Sequence, residues 1–231
     1  MGRSHRRRCG PRCLRARPHP ELQGRRRSRS PSGSAARLAA LPAWQRAGTI
    51  KAVPDKAQLP VRARALEEGR TVYMAVPKLA TREPFYLLDP AVLTVPPKEA
   101  AVSRTAAIIA PTVEVDALRP LDLIVLGSVA VDRDGARIGK GAGYSDIEFA
   151  LLTEAGLVTP ATVVVTTVHG LQVTEDPIPT GEHDVGVDLI VTPDETIVCP
   201  NPHRPSGIRW SDLMPEQIAA IPALAARHRG R

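Results

Sequence analysis

Aromatic side chains make up only 3% of this 231-residue chain, against 43% hydrophobic residues overall, so any core must be aliphatic. Cysteine is scarce too. Cys9, Cys13 and Cys199 supply no disulfide framework and point to a reducing compartment, the cytoplasm. No apolar run is long enough to span a membrane, and no internal repeat is visible. Lysine is missing from the first 30 residues, which hold 11 Arg and one acid, Glu21. That segment therefore carries +10. The remaining residues hold 20 basic and 23 acidic side chains, or −3. The net charge of +7 belongs to the beginning of the chain, and whole-chain charge is no argument for nucleic-acid binding by the rest.

Residues 1–31 are rich in Arg, Pro, Gly and Ser and show no helical or strand period, as expected of a disordered tail. Four readings compete there. Arginines could hold RNA or another polyanion, only nonspecifically because interleaved aromatics are absent. An Arg- and Ser-rich, acid-poor start suits a transit peptide, but its prolines spoil an amphipathic helix. His5, Cys9, Cys13 and His19 could ligate zinc, at spacings that fit no familiar finger. The simplest reading is an unstructured or wrongly assigned start.

From residue 32 to residue 231 the texture is that of a folded domain. Ser34–Ala47 reads as one helix or two short ones, interrupted at Pro42. Asp55 is expected to cap a helix that runs to Glu68, with Pro60 early in it and Gly69 at its end. Thr71–Val76 alternates and is β-branched, a strand stopped by Pro77; Phe85–Leu88 is another. Lys98–Arg104 and Ala106–Ala110 suggest short helical pieces. Leu121–Leu126, apolar but for Asp122, and Thr162–Val168, apolar or β-branched throughout, read as strands buried on both faces. Asp188–Thr192 and Thr196–Cys199 are shorter strands, and Met214–Arg227 is a helix broken at Pro222. Strands alternating with helices predict an α/β fold with a mainly parallel sheet, whose ligands sit beyond the carboxyl ends of its strands.

One such end leads to Gly139-Lys140-Gly141-Ala142-Gly143-Tyr144-Ser145-Asp146, between a ribbon over 128–138 that turns at Asp134-Gly135 and a helix reaching Glu154. Glycines let backbone N–H groups crowd a ligand, and a helix N-terminus adds the positive end of its dipole. Lys140 adds a mobile charge, and phosphate is the natural occupant. The spacing matches neither G-x-G-x-x-G nor G-x-x-x-x-G-K-[ST], so a tight connection remains an alternative. A second polar stretch, Glu182-His183-Asp184-Val185-Gly186-Val187-Asp188, could hold a hard cation, or could be a turn whose aspartates cap backbone N–H groups.

Taken together and in order, the two stretches resemble the 5-formyltetrahydrofolate cyclo-ligase (5,10-methenyltetrahydrofolate synthetase) family, with its Gly-Arg-Gly-x-Gly-Tyr-Tyr-Asp loop and a later His-Asp turn ending in Val-Asp. The methenyltetrahydrofolate synthase domain-containing subgroup is the nearer likeness. It is carried by Gly127-Ser128-Val129-Ala130-Val131, Arg137-Ile138, Val168-His169, Pro205-x-Gly207-Ile208-x-Trp210, Pro54-Asp55-Lys56-x-Gln58 and Pro60-Val61-Arg62. The resemblance implies a three-layer α/β/α fold of the NagB/RpiA/CoA-transferase-like kind. It also implies ATP- and Mg²⁺-dependent closure of 5-formyltetrahydrofolate to 5,10-methenyltetrahydrofolate. On that footing Gly139, Lys140, Gly141, Ala142, Gly143 and Tyr144 bind ATP, and Lys140 and Tyr144 serve the chemistry. Ser145 and Arg62 face the folate, Asp146 and Asp184 hold Mg²⁺, and His183 orients a neighbour.

Three departures stand out. Ser145 replaces a second Tyr, and a serine cannot stack on a pterin. Lys140 replaces Arg, which keeps the charge and loses the bidentate fork. The Arg-rich start does not match the family's first helix, which supplies a Lys and an Arg to the phosphates. Two further readings therefore accompany the enzyme: a catalytically impaired nucleotide- or folate-binding homologue acting through partners, and RNA association through the tail. Of the remaining residues, Lys51, Lys56 and Arg62 could face an anion such as the folate glutamate or be solvated surface charge. His169 reads as a structural strand-end histidine, Cys199 as a small buried hydrophobe, and Trp44 and Trp210 as packing residues.

Overall fold

A computed structural model describes residues 31–230. The tail and its zinc reading lie outside the described residues, except Pro31, which begins helix α1 (Pro31–Ala39). Pro42 splits the first helical stretch and opens α2 (Pro42–Arg46), where a missing N–H costs nothing. Strand β1 follows (Thr49–Ala52), then α3 (Leu59–Glu67), β2 (Thr71–Ala75) and β3 (Phe85–Leu88). Two short helices, α4 (Pro97–Ala100) and α5 (Ser103–Ile109), precede β4 (Thr112–Val113) and β5 (Leu123–Leu126). The ribbon forms as β6 (Ala130–Asp132) and β7 (Arg137–Ile138), antiparallel, with Gly135 at φ 94° in the turn. Helix α6 (Tyr144–Glu154), β8 (Val163–Thr167), β9 (Val173–Thr174), β10 (Leu189–Val191), β11 (Thr196–Val198), α7 (Pro215–Ala220) and α8 (Pro222–Arg229) complete the described chain.

Eight strands form one sheet in the order β11-β10-β8-β5-β1-β2-β3-β4. The five from β10 to β2 pair in parallel, while β11, β3 and β4 are antiparallel additions at the edges. Side chains alternate across such a sheet. Ile124 and Leu126 accordingly join one apolar layer with Phe149, Leu152 and Leu224, and Leu123 and Val125 join the other with Leu38, Trp44 and Leu66. Helices thus cover both faces, a three-layer α/β/α arrangement, and the continuous apolar runs of β5 and β8 are explained by burial on both sides. Cys199 is buried; desolvation, then Asp132, Asp188 and Asp134, push its thiol up to about 11.

Strand β1, in the middle of the sheet, is absent from the sequence reading. It has four residues, and one of them is Lys51. A charge in so short a segment argues for surface, but Lys51 is 0% exposed and pairs with Glu148 of α6, itself 4% exposed. Neither solvated surface charge nor an anion-facing role holds for Lys51. Its neighbours Ile50 and Ala52 face the α1–α3 layer, and the pleat turns Lys51 toward α6.

Candidate functional site

Beyond the carboxyl ends of β1, β2, β5 and β8 lies a cleft of about 580 Å³. Four segments build its walls: 53–58 after β1, 76–78 after β2, 127–129 after β5, and the glycine loop with the first turns of α6. Thr167 at the end of β8 and Gln172 complete it. Gly141 (φ 87°) and Gly143 (φ 67°) hold left-handed backbone that a side chain would strain. Gly143 is the residue before the first turn of α6, so free N–H groups and the helix's positive end face the cleft. Gly139, Lys140, Ala142, Gly143, Tyr144, Ser145 and Asp146 all line it, and Tyr144 also packs on the core.

The charges are mostly paired. Lys140 Nζ meets Asp55 Oδ1 at 2.5 Å, bridging the glycine loop and the turn after β1. Asp55 precedes a single 3₁₀ turn, Lys56–Gln58, without capping it through its side chain; the carboxylate is spent on Lys140. Its expected capping role is thus replaced by a bridge across the cleft. Asp146 Oδ1 accepts from Arg137 Nη2 at 2.6 Å and from the Val185 N–H at 3.2 Å. Arg137 is buried and also donates to the Val185 carbonyl, so the 181–185 loop is tied to the start of α6. Glu148, on the cleft floor, is matched by Lys51. Two cations remain. Lys56 and Lys78 line the cleft, and their side chains make no hydrogen bond or ion pair with any described residue. Lys78 and Leu79 hold φ of 61° and 51°, backbone that costs a side-chain-bearing residue about 1–2 kcal/mol each. Strain of this kind gathers at functional sites.

Other expected residues fall elsewhere. Arg62 is 1% exposed, and it donates to the carbonyls of Val53, Pro54, Asp55 and Ala101. Burial pulls its guanidinium down to about 10 and Asp55 partly offsets this, so it stays charged at neutral pH. It shapes the turn after β1 from behind and does not line the cleft. Asp184 accepts from the Gly181 N–H through Oδ2, the turn-capping bond, and does not line the cleft. His183, with Nε2 at 3.5 Å from Asp184 Oδ1, lines a smaller cavity of about 130 Å³ that shares Ala142, Gly143 and Asp146 with the cleft. Gly207, Ile208 and Arg209 of the late motif close that cavity. His169 accepts from the Leu171 N–H, as a strand-end structural histidine does.

Among the described residues no group of three or more His, Cys, Asp or Glu could hold a metal. Mg²⁺ does not need one, because it binds through one or two carboxylates and completes its shell with phosphates and water. Asp146 fits that demand: it lines the cleft, and both of its hydrogen bonds fall on Oδ1. Gln58, Lys78, Glu148 and Gln172 are cleft residues to which sequence reasoning gave no role, and Asp55 was expected only as a helix cap. Pro54-Asp55-Lys56-x-Gln58 stood out as a motif, but nothing in it says that the turn faces the glycine loop.

Residues 13–193 match the 5-formyltetrahydrofolate cyclo-ligase family. The chain is 38% identical over 201 residues to a methenyltetrahydrofolate synthase domain-containing protein of Mus musculus, an alignment covering 83% of this chain and 52% of the relative. It is 34% identical over 88 residues to a 5-formyltetrahydrofolate cyclo-ligase of Mycolicibacterium smegmatis, covering 38% of this chain and 42% of that one. The chain thus spans about half the length of the curated relatives it matches. The NMR structure of Aquifex aeolicus 5,10-methenyltetrahydrofolate synthetase has a TM-score of 0.52 at 24% identity, over 78% of this chain and 84% of that one, and supports the fold. No helix among the described residues is long and apolar enough to cross a membrane.

Proposed function

The chain belongs to the 5-formyltetrahydrofolate cyclo-ligase family, and from that premise we propose that its cleft closes 5-formyltetrahydrofolate to 5,10-methenyltetrahydrofolate at the expense of ATP, in the cytoplasm. The formyl oxygen attacks the γ-phosphorus and ADP leaves. N10 then attacks the activated formyl carbon, a C–N bond forms, phosphate departs with that oxygen, and the N10 proton is lost. Such chemistry asks the protein for positioning and charge neutralisation more than for covalent help.

The observation that carries the reading is the glycine loop at the N-terminus of α6, facing a cleft whose charges without a partner among the described residues, Lys56 and Lys78, are both positive. Backbone N–H groups from Gly139 to Tyr144 hold the phosphates. Lys140 exchanges Asp55 for a phosphate oxygen when nucleotide enters. Tyr144 orders the loop by packing its ring on the core. Asp146 would hold Mg²⁺, which would neutralise phosphate charge, while Asp184 caps its own turn outside the cleft. Ser145 leaves room on the folate side where a tyrosine would stack, and this small wall favours the second reading, a binder with weak turnover.

The test is to mix the protein with 5-formyltetrahydrofolate and Mg-ATP and follow the methenyl product by absorbance. Turnover is expected, and Asp146→Ala is expected to lower it by about a hundredfold or more, as loss of one preorganised charge contact does. ATP that protects the fold against heat without product would identify the second reading.

A further inference from the structure

Two carboxylates of α6 face the cleft, Asp146 in the first turn of the helix and Glu148 in the second. The proposed activity gives the first a role and leaves the second without one. Glu148 is 4% exposed, and its Oε2 accepts from the Lys51 ammonium. Its Oε1 makes no hydrogen bond with any described residue. Lys51 stands behind it on β1 and does not line the cleft. The side chain of Lys51 is 1% exposed and that of Glu148 6%, so the pair turns its negative end to the cleft. A buried ion pair is a poor way to hold a fold together, because apolar replacements serve as well or better. Its placement and direction here need another reason.

Glu148 lies four residues beyond Tyr144, about 6 Å along the helix axis, and its side chain leans back toward the helix N-terminus. Phosphates belong at that N-terminus. In the proposed reaction the formyl oxygen takes the phosphoryl group while the N5 lone pair moves into the N5–C bond, which leaves a cation on N5 and carbon. N10 then attacks that carbon, loses its proton and expels phosphate, and the positive charge ends up shared between N5 and N10. These atoms lie within a few bonds of the phosphorus, so a side chain one helical turn from the phosphate site is within reach of them.

We infer that Glu148 is a catalytic residue whose carboxylate faces the N5–C–N10 cation as it forms, and that Lys51 is its positioning residue. The inference rests on the cyclo-ligase reading, which supplies the cation. 5-Formyltetrahydrofolate is neutral at those atoms, so the attraction grows only as the reaction proceeds. Interactions of that kind raise kcat and leave KM nearly alone. Lys51 offsets the cost of burying the carboxylate and fixes its direction.

The experiment titrates the full chain, without ATP and in mildly acidic buffer, with two ligands. 5,10-Methenyltetrahydrofolate carries the cation, and its absorbance reports its binding; 5-formyltetrahydrofolate does not, and is followed by calorimetry. The wild type is expected to prefer the methenyl compound by at least about tenfold, and Glu148→Gln to bring the two affinities together. Lys51→Met bares the carboxylate and should move the preference the other way, with a larger rise in Tm from the methenyl compound than the wild type shows. The double variant Lys51→Met with Glu148→Met carries no charge there. It should behave as Glu148→Gln does, and it keeps the test open should Glu148→Gln unfold. With Mg-ATP, Glu148→Gln should lower kcat by about a hundredfold while KM for 5-formyltetrahydrofolate stays nearly unchanged. A purely structural pair would weaken both ligands together in every variant, which overturns the inference. So does a preference that fails to rise in Lys51→Met, or a kcat that survives Glu148→Gln. A methenyl preference that depends on Glu148, without any ATP-dependent turnover, would sink the proposed activity and leave the cation site standing. Turnover without that preference would do the reverse, and binding of neither ligand would sink both.

Discussion

Lys51→Met removes the cation that faces Glu148 inside the molecule and keeps an apolar stem of similar length. Lys51 is 0% exposed and Glu148 4%, so the carboxylate left behind cannot be rescued by solvent where it stands. Breaking a buried pair by removing one partner costs about 3–5 kcal/mol, a large share of a typical total of about 5–15 kcal/mol. For a chain of this size each kcal/mol lowers Tm by about 2–4 °C, so a fall of about 6–20 °C is expected. The double variant Lys51→Met with Glu148→Met removes both charges and fills the space with apolar atoms. Such replacements are neutral or stabilising by about 1–4 kcal/mol. Guanidinium unfolding of the wild type, both single variants and the double variant closes the cycle. A Lys51→Met cost below about 1 kcal/mol, or a double variant as unstable as the singles, would refute the claim that the pair's burial governs its energetics. The cycle also bears on the site, since Glu148 sits two residues beyond Asp146 and the pair ties α6 to the strand that leads to Asp55.

Glu68 caps the end of α3, where burial alone would raise its carboxyl. Hydrogen bonds from Trp44, Arg64 and Arg70 outweigh that and bring it down to about 2. A depressed folded value adds stability above the ordinary carboxyl range that is lost as pH falls toward the folded value. The stability gap between wild type and Glu68→Gln should therefore be widest near neutral pH and close between about pH 4.5 and about pH 2, as read by thermal unfolding across pH; a gap that widens in acid would contradict the assignment. Gly143→Ala meets no atom within 4 Å, so its cost is backbone strain alone, about 1–2 kcal/mol by chemical denaturation. A markedly larger loss would refute the open space beside Gly143.

The legible part of the site was the part held in contiguous residues. Alternating glycines before a helical period announce a loop at a helix N-terminus, and Gly141 and Gly143 do take positive φ there. Asp146 in the first turn follows from the same spacing. Asp55 was visible only as a helix cap and Gln58 only as part of a motif, because what they face is set by residues far along the chain, Lys140 for Asp55 and Thr167 for Gln58. That Arg62 donates to four backbone carbonyls was not legible, because a helix-borne arginine looks the same in sequence whether its donors meet a ligand or the main chain.

Local pattern by itself determined most of the elements and the layering, but not β1. The apolar runs of β5 and β8, the stops at Pro42, Pro77 and Pro222 and the turn at Gly135 act within a few residues of their cause. Tertiary structure alone decided which charges are inside and what they face. Burial and pairing are long-range facts: Lys51 becomes a core residue of β1 because Glu148, 97 positions later, arrives opposite it. Lys56, five residues on from Lys51, meets no such partner among the described residues and stays exposed in the lining of the cleft.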